Sequence, residues 1–266
     1  MQKFSKILAT GSYLPKKIYT NKDIEKIVDT SHEWIVERTG IESRHIADEN
    51  ESSVDMAYNA TVNALQDTKI DMNDIDMIVV ATTTPERKFP STAVLLQSKM
   101  DNNKAFAFDV NAACTGFIYA LDIADKYIKS GSVQNVLVVG TEKITSLLDW
   151  TDRNTCVLFG DGAGVVVLSG PDEPGILSNS IGSDGAYKDL LTVNTDTEVI
   201  EMKGNDVFKI AVNTMGRIAS ETLEKNNMKV DAVDWLIPHQ ANSRIINAVA
   251  RKINLPEEKI IMTVDK

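Results

Sequence analysis

An α/β fold made of two similar halves is what this sequence predicts, and three observations predict it. Strand-like and helix-like patterns alternate along the 266 residues. A helix-to-strand unit of the first half returns in the second at a single offset of 158 residues, which aligns Leu65 with Leu223, Ile75 with Val233 and Asp76 with Asp234. The stretch KAFAFDV from Lys104 also resembles KIIMTVD from Lys259. The Pro/Gly cluster Gly170–Gly175 is a turn or linker signal. It divides the chain into expected halves of residues 1–172 and 173–266.

The expected strands, in order, are Phe4–Tyr13, Asp76–Thr82, Lys104–Val110, Asn135–Thr141, Gly162–Ser169, Gly175–Ser183, Trp235–Pro238 and Lys259–Val264. Each is a short apolar or alternating run bounded by turn residues. The expected helices are Ser53–Asp67, Cys114–Lys129, Val207–Lys225 and Ser243–Lys252. In the second helix Phe117, Leu121, Ala124 and Ile128 recur at helical spacing, and in the third Val207, Ile210, Ala211, Met215, Ile218 and Thr222 do so. In the fourth, Ile245, Ile246, Val249 and Ala250 form an apolar face, while Arg244, Arg251 and Lys252 lie on another side.

Composition narrows the function classes. The net charge of −10 argues against broad binding to nucleic acid or to a membrane surface. No apolar run approaches bilayer length, and the N-terminal stretch reads as a first strand rather than a signal peptide. Two cysteines without framework spacing point to the reducing cytoplasm. His32, His45 and His239 do not stand at metal-ligand spacing, so no metal is expected.

Cys114 is the first candidate for chemistry. A strand ending at Val110 leads through small residues into a helix that opens at or beside the cysteine. Unpaired N–H groups and the helix dipole there favour a thiolate, the nucleophilic form. The plainer reading is a small buried hydrophobe. WLIPHQAN is the second candidate segment: a strand runs into Pro238 and presents His239 at its end, where ligands of α/β folds gather. A lone histidine more often serves only as a hydrogen-bonded core residue. Asn242 has the chemistry to cap the helix from Ser243. FGDGAG from Phe159 leads into a strand, not a helix, so it reads as a packing turn and not a dinucleotide fingerprint. Trp34 and Arg38, four residues apart, fit one face of a short helix, and with Arg153 they suit a base and phosphates.

DVNAACTGF, GDGAG, GNDVFK and PHQAN, in this order and at these separations, resemble the β-ketoacyl-acyl-carrier-protein synthase III family. The resemblance runs from the N-terminus to Lys266. It implies the thiolase-like fold, two duplicated α/β halves in a five-layer αβαβα arrangement with the last part of the second half missing, and a homodimer. It implies acetyl transfer from acetyl-CoA to Cys114. Condensation with malonyl-acyl-carrier protein follows, with loss of CO₂, giving acetoacetyl-acyl-carrier protein and starting fatty-acid synthesis. No cofactor is implied beyond the CoA thioester substrate. His239 is implied as a second catalytic residue, which helps hold the thioester oxygen. Trp34 and Arg153 are implied around the adenine and Arg38 at the phosphates. Gly204, Asn205, Ala241 and Asn242 are implied along the pantetheine tunnel. Phe89, Leu158 and Phe208 are implied at the acyl pocket, with Phe89 supplied by the second subunit. Lys209, Arg244, Arg251 and Lys252 are implied as the carrier-protein docking patch.

The family pattern continues beyond Lys266 with a third catalytic residue, an asparagine, and a glycine-rich loop of the oxyanion hole. The expectation is therefore a chain cut short, or one that acylates better than it condenses. Two other readings stand beside the synthase: a related condensing enzyme with a different starter acyl-CoA, and a non-catalytic thiolase-fold protein.

Overall fold

The computed structural model describes residues 4–170 and 173–265. Along the chain run β1 (Lys6–Tyr13), β2 (Lys17–Thr20), α1 (Asn21–Ile24), α2 (His32–Thr39), β3 (Ser43–Ile46), α3 (Ser53–Leu65), β4 (Met77–Ala81), α4 (Thr92–Lys99), β5 (Phe106–Val110), α5 (Gly116–Ser130), β6 (Asn135–Glu142), β7 (Gly162–Ser169), β8 (Leu191–Val193), β9 (Ile200–Met202), α6 (Gly204–Lys225) and α7 (Ser243–Lys252). They fall into two compact units that are not contiguous in sequence. The first comprises residues 1–17, 45–144 and 161–181; the second comprises residues 18–44, 145–160 and 182–266. Pro171 and Asp172, where the sequence suggests a join between halves, lie outside the described residues.

The first unit is a sheet of order β1-β7-β6-β4-β5. β4 runs parallel to both β5 and β6, while β7 is antiparallel to β1 and β6. Strand periodicity sorts the side chains between two faces. Ile78 and Val80 of β4, with Leu137 and Val139 of β6, join Met56, Ala57, Ala60 and Ala64 of α3 and Leu96 of α4 in one apolar cluster. Met77, Val79 and Ala81, with Val136 and Val138, join Ala120, Ala124 and Ile128 of α5 in another. Every residue of β4 is buried, as expected of a parallel strand covered on both faces.

The second unit packs Ile24, Ile35, Ile41, Cys156, Val157 and Val264 into its own core. Gly40 ends α2 at φ +78°, and a Cβ there would lie 2.6 Å from Ser243 Oγ. Only glycine meets both conditions, so α2 can close against the start of α7. On α7 the buried residues are Ile245, Ile246, Val249 and Ala250, the apolar face expected from spacing.

Several elements differ from the sequence expectation. Gly175–Ser183 is irregular chain, not a strand. Ile176 N–H instead donates to Ser5 carbonyl at 2.8 Å, and Lys129 and Asn179 tie the segment to the α5 flank. Trp235–Pro238 and Lys259–Val264 meet in a single parallel bridge, Leu236 with Ile260, too short a pairing to count as strands. The helix expected from Cys114 begins at Gly116, because Ala113–Thr115 forms a 3₁₀ turn first. α2 and α4 carry weak apolar periodicity. Their starts come from the Ser31 and Ser91 side chains, which accept from Trp34 and Val94 N–H.

Candidate active site

Cys114 stands just past the C-terminal end of β5, on the turn that enters α5. The turn is sharp. Ala113, immediately before the cysteine, has φ +45°, a conformation that is uncommon for a residue with a side chain. Gly116 lets the start of α5 approach the sheet, since a Cβ there would lie 3.2 Å from the Cβ of Ala81 at the end of β4. The result is an exposed Cys114 thiol held on a rigid support.

The thiol is not held as a thiolate. Desolvation by the surrounding protein raises its pKa above the ordinary thiol value, its own backbone N–H pulls the other way, and the Glu142 charge raises it further. The expected stabilisation by a helix N-terminus is weak for a geometric reason. The helix proper starts two residues later, and dipole effects fade within a turn.

His239 lies in the second unit, on the segment that follows the Leu236 bridge. The residue is exposed overall, yet desolvation of the ring by the surrounding protein lowers its pKa below the ordinary imidazole value, so the ring is neutral at pH 7 and offers one N–H donor. Gln240, which the sequence reading did not single out, holds this turn. Its Nε2 donates to Pro238 carbonyl at 3.0 Å and to Ile261 carbonyl at 3.1 Å, and its Oε1 accepts from Thr263 N–H at 2.8 Å. Asn242 does cap α7: Oδ1 accepts from Arg244 N–H at 2.8 Å, while Nδ2 donates to Arg38 carbonyl at 3.0 Å. One amide thereby joins the end of α2 to the start of α7.

Of the other candidates, only Phe89 shares the first unit with Cys114, and it is 84% exposed. In the second unit, Trp34 carries two guanidinium groups on its ring, Arg38 at 4.8 Å and Arg153 at 4.9 Å from the centroid. Arg153 also donates to Asp29 carbonyl at 2.9 Å. Leu158 packs against the second unit's core. Gly204 and Asn205 are exposed at the start of α6, and Ala241 is part-buried beside Asn242. Phe208 lies under Arg244, with the guanidinium 5.5 Å from its ring centroid. Arg251 is exposed, Lys252 donates to Asn213 Oδ1 at 2.7 Å, and Lys209 stands 3.9 Å from Asp206. Among the described residues no group of three His, Cys, Asp or Glu is arranged to hold a metal ion.

Family models match two stretches of the chain. 3-Oxoacyl-[acyl-carrier-protein] synthase III matches residues 108–185, the region of Cys114, and the C-terminal model of the same family matches residues 223–266, the region of His239. A β-ketoacyl-[acyl-carrier-protein] synthase III from Methylococcus capsulatus is 52% identical over all of this chain and 86% of its own length. The chain belongs to this family. The crystal structure of 3-oxoacyl-[acyl-carrier-protein] synthase III from Aquifex aeolicus superposes with a TM-score of 0.96 at 49% identity, covering 98% of this chain and 85% of that one. The priming β-ketosynthase of the R1128 polyketide pathway superposes at 0.93 with 35% identity, covering 99% and 83%. The thiolase-like fold read from the motifs is thus the fold of the synthase III family.

A neutral His239 has a direct test. Its ring protons, followed by NMR against pH in the full chain, should titrate with a midpoint clearly below about 6.5, the usual imidazole value. A midpoint at or above that value would remove the neutral donor at physiological pH.

Proposed function

We propose that this chain is an acyltransferase of the condensing type that starts fatty-acid synthesis, with Cys114 as the residue that carries the acyl group. The observation that carries this reading is the exposed cysteine on its strained turn, inside a chain 52% identical to a synthase III along its whole length. The non-catalytic alternative has no comparable support.

The proposed substrates are acetyl-CoA and malonyl-acyl-carrier protein. In the first half-reaction, Cys114 sulfur bonds to the acetyl carbonyl carbon and the carbon–sulfur bond to CoA breaks. The cysteine proton ends on the CoA thiol. In the second, loss of CO₂ leaves an electron pair on the malonyl α-carbon, which bonds to the acetyl carbonyl carbon as the carbon–sulfur bond to Cys114 breaks, and the released thiolate takes up one proton from solvent. No strong base and no cofactor enter this balance. The thioester oxygen gains negative charge as CO₂ leaves, and the neutral ring of His239 suits donation to it.

The exposed Arg38 and Arg153 beside Trp34 suit the phosphates and base of CoA. A stacked base needs about 3.5 Å on each side. Arg153, now 4.9 Å from the Trp34 ring centroid, must therefore swing away as a base enters between them. Arg244 and Arg251, on the exposed side of α7, suit an acidic carrier protein, the more so in a chain of net charge −10. Co-location with a cytoplasmic acyl-CoA pool follows from these substrates.

A homodimer is part of the same reading. β5 is the outer strand of its sheet. Phe106 on it is 43% exposed, stacks with Phe108 and lies tilted against Tyr127. An open apolar edge of this kind invites pairing with a second copy. Sedimentation at micromolar concentration should give twice the chain mass, and Phe106→Asp should shift it toward the monomer. A wild-type monomer would exclude this assembly.

The acyl-carrier role is tested by intact mass after incubation with acetyl-CoA. Wild type should gain one acetyl group and Cys114→Ala none; an unmodified, folded wild type would overturn the reading. Substrate assignments are tested by a double dissociation in steady-state kinetics. Arg153→Ala should raise KM for acetyl-CoA by about tenfold, or about 1.4 kcal/mol, and spare malonyl-acyl-carrier protein. Arg244→Ala should do the reverse, and equal effects on both substrates would sink the division of labour.

A further inference from the structure

A buried polar chain in the second unit belongs to none of the motifs. It runs from Arg44 of β3 through Asn21, the first residue of α1, to His32, the first residue of α2. Arg44 is 4% exposed and Asn21 1%. Among the described residues no carboxylate pairs with the Arg44 guanidinium. Its Nη1 donates to Asn21 Oδ1 at 2.8 Å and to Tyr19 carbonyl at 3.2 Å, its Nη2 donates to Val157 carbonyl at 2.9 Å, and its Nε has no partner. A buried charge on neutral acceptors alone contributes little to stability. What it does here is fix an orientation.

Donor chemistry leaves Asn21 one arrangement. Oδ1 must face Arg44, since a guanidinium only donates. Nδ2 must face Ile41 carbonyl, 2.8 Å away, since a carbonyl only accepts. The second N–H of Nδ2 is then the one that meets His32 Nδ1 at 3.2 Å. That ring nitrogen must carry a lone pair, so His32 is the Nε2–H tautomer.

The two groups that Asn21 holds flank α2. His32 opens the helix, and Ile41 follows Gly40, the residue that ends it. One amide therefore ties both ends of α2 to a single buried point, and α2 is the helix that carries Trp34 and Arg38. The backbone bonds nearby serve one end each. His32 N–H donates to Glu25 Oε1 at 2.6 Å, and Ile41 N–H donates to Thr39 Oγ1 at 3.0 Å.

We propose that Asn21, aimed by Arg44, is a positioning residue for the Trp34 face of α2 and through it for the nucleotide end of acetyl-CoA. The proposal rests on the reading of Trp34, Arg38 and Arg153 as the CoA contact. Its consequence is that capture of the acyl donor depends on a donor–acceptor relay that touches neither the donor nor Cys114.

The test uses Asn21→Asp in the full chain. The carboxylate matches the amide in size, still accepts from Arg44 and gives that cation a counter-charge, so the fold is expected to hold. It has no N–H for Ile41 carbonyl or for His32 Nδ1. Acetylation of Cys114 is followed by intact mass with sub-saturating acetyl-CoA and, separately, with S-acetyl-pantetheine, which lacks the nucleotide. Asn21→Asp should react about tenfold more slowly with acetyl-CoA, the loss of one hydrogen bond's hold, and at the wild-type rate with S-acetyl-pantetheine. Nitrogen NMR should show His32 pass from the Nε2–H to the Nδ1–H tautomer, because the new carboxylate needs a donor. Equal slowing with both thioesters would mark a merely structural role and overturn the proposal, as would an unchanged rate with acetyl-CoA. Should Asn21→Asp fail to fold, His32→Phe takes its place at a part-buried position. It removes the acceptor alone and should slow acetyl-CoA selectively by about threefold; no selectivity would again be fatal. Trp34→Ala, measured beside these, separates the two claims. Selective slowing by Trp34→Ala without selective slowing by Asn21→Asp sinks the positioning role alone. A Trp34→Ala that slows both thioesters alike sinks the CoA assignment of α2 and the proposal with it.

Discussion

Burial of one short parallel strand underlies the rest of the unit that carries Cys114. β4 has no exposed residue, and its alternating side chains feed apolar clusters on both faces of the sheet. Helices α3 and α4 complete one cluster and α5 the other. Because β5 and β6 both run parallel to β4, all three deliver their loops to the same edge. Cys114, Thr82–Thr84 and Glu142 meet there as a consequence of sheet direction, not of closeness in sequence. At such an edge backbone groups run out of ladder partners, and side chains such as Glu142 and Asp109 supply the missing acceptors.

The second unit is organised by side-chain-to-backbone bonds more than by sheet. Where Leu236 and Ile260 form a single bridge, Gln240 adds three bonds that fix the chain around His239. Asn242 and Gly40 then set α7 against α2. These groups place a neutral histidine, a guanidinium-flanked tryptophan and a basic helix face on one compact body. Amide side chains suit the task, since one group both donates and accepts and carries no charge to desolvate.

Electrostatics at the cysteine run against the simple expectation for a reactive thiol. A helix N-terminus favours a thiolate only when the sulfur lies within its first turn. The 3₁₀ turn moves Cys114 ahead of that turn, and desolvation together with Glu142 then decides the sign. For a ping-pong acyl carrier this is workable, because each thiol–thioester exchange returns a proton to a sulfur and needs no permanent thiolate.

The family was legible in the sequence by itself. Cys114 and His239 stand in motifs whose residue order marks the family, and the helical spacing of Phe117–Ile128 and of Ile245–Ala250 fixed which faces are buried. Local rules sufficed there, since capping, turns and amphipathic periodicity act over a few residues. Other features were decided only by tertiary structure. Gly175–Ser183 has an apolar pattern but is held by bonds to Ser5 and to the flank of α5, residues about 50 to 170 positions away, so no ladder forms. Residues 18–44 and 145–160 cluster with the second unit although they precede it in sequence. Glu142 stands in none of the motifs read from the sequence. It acquires its place only when parallel pairing brings the ends of β4 and β6 to one edge, where the hydroxyls and the amide of Thr82–Thr84 donate to its carboxylate.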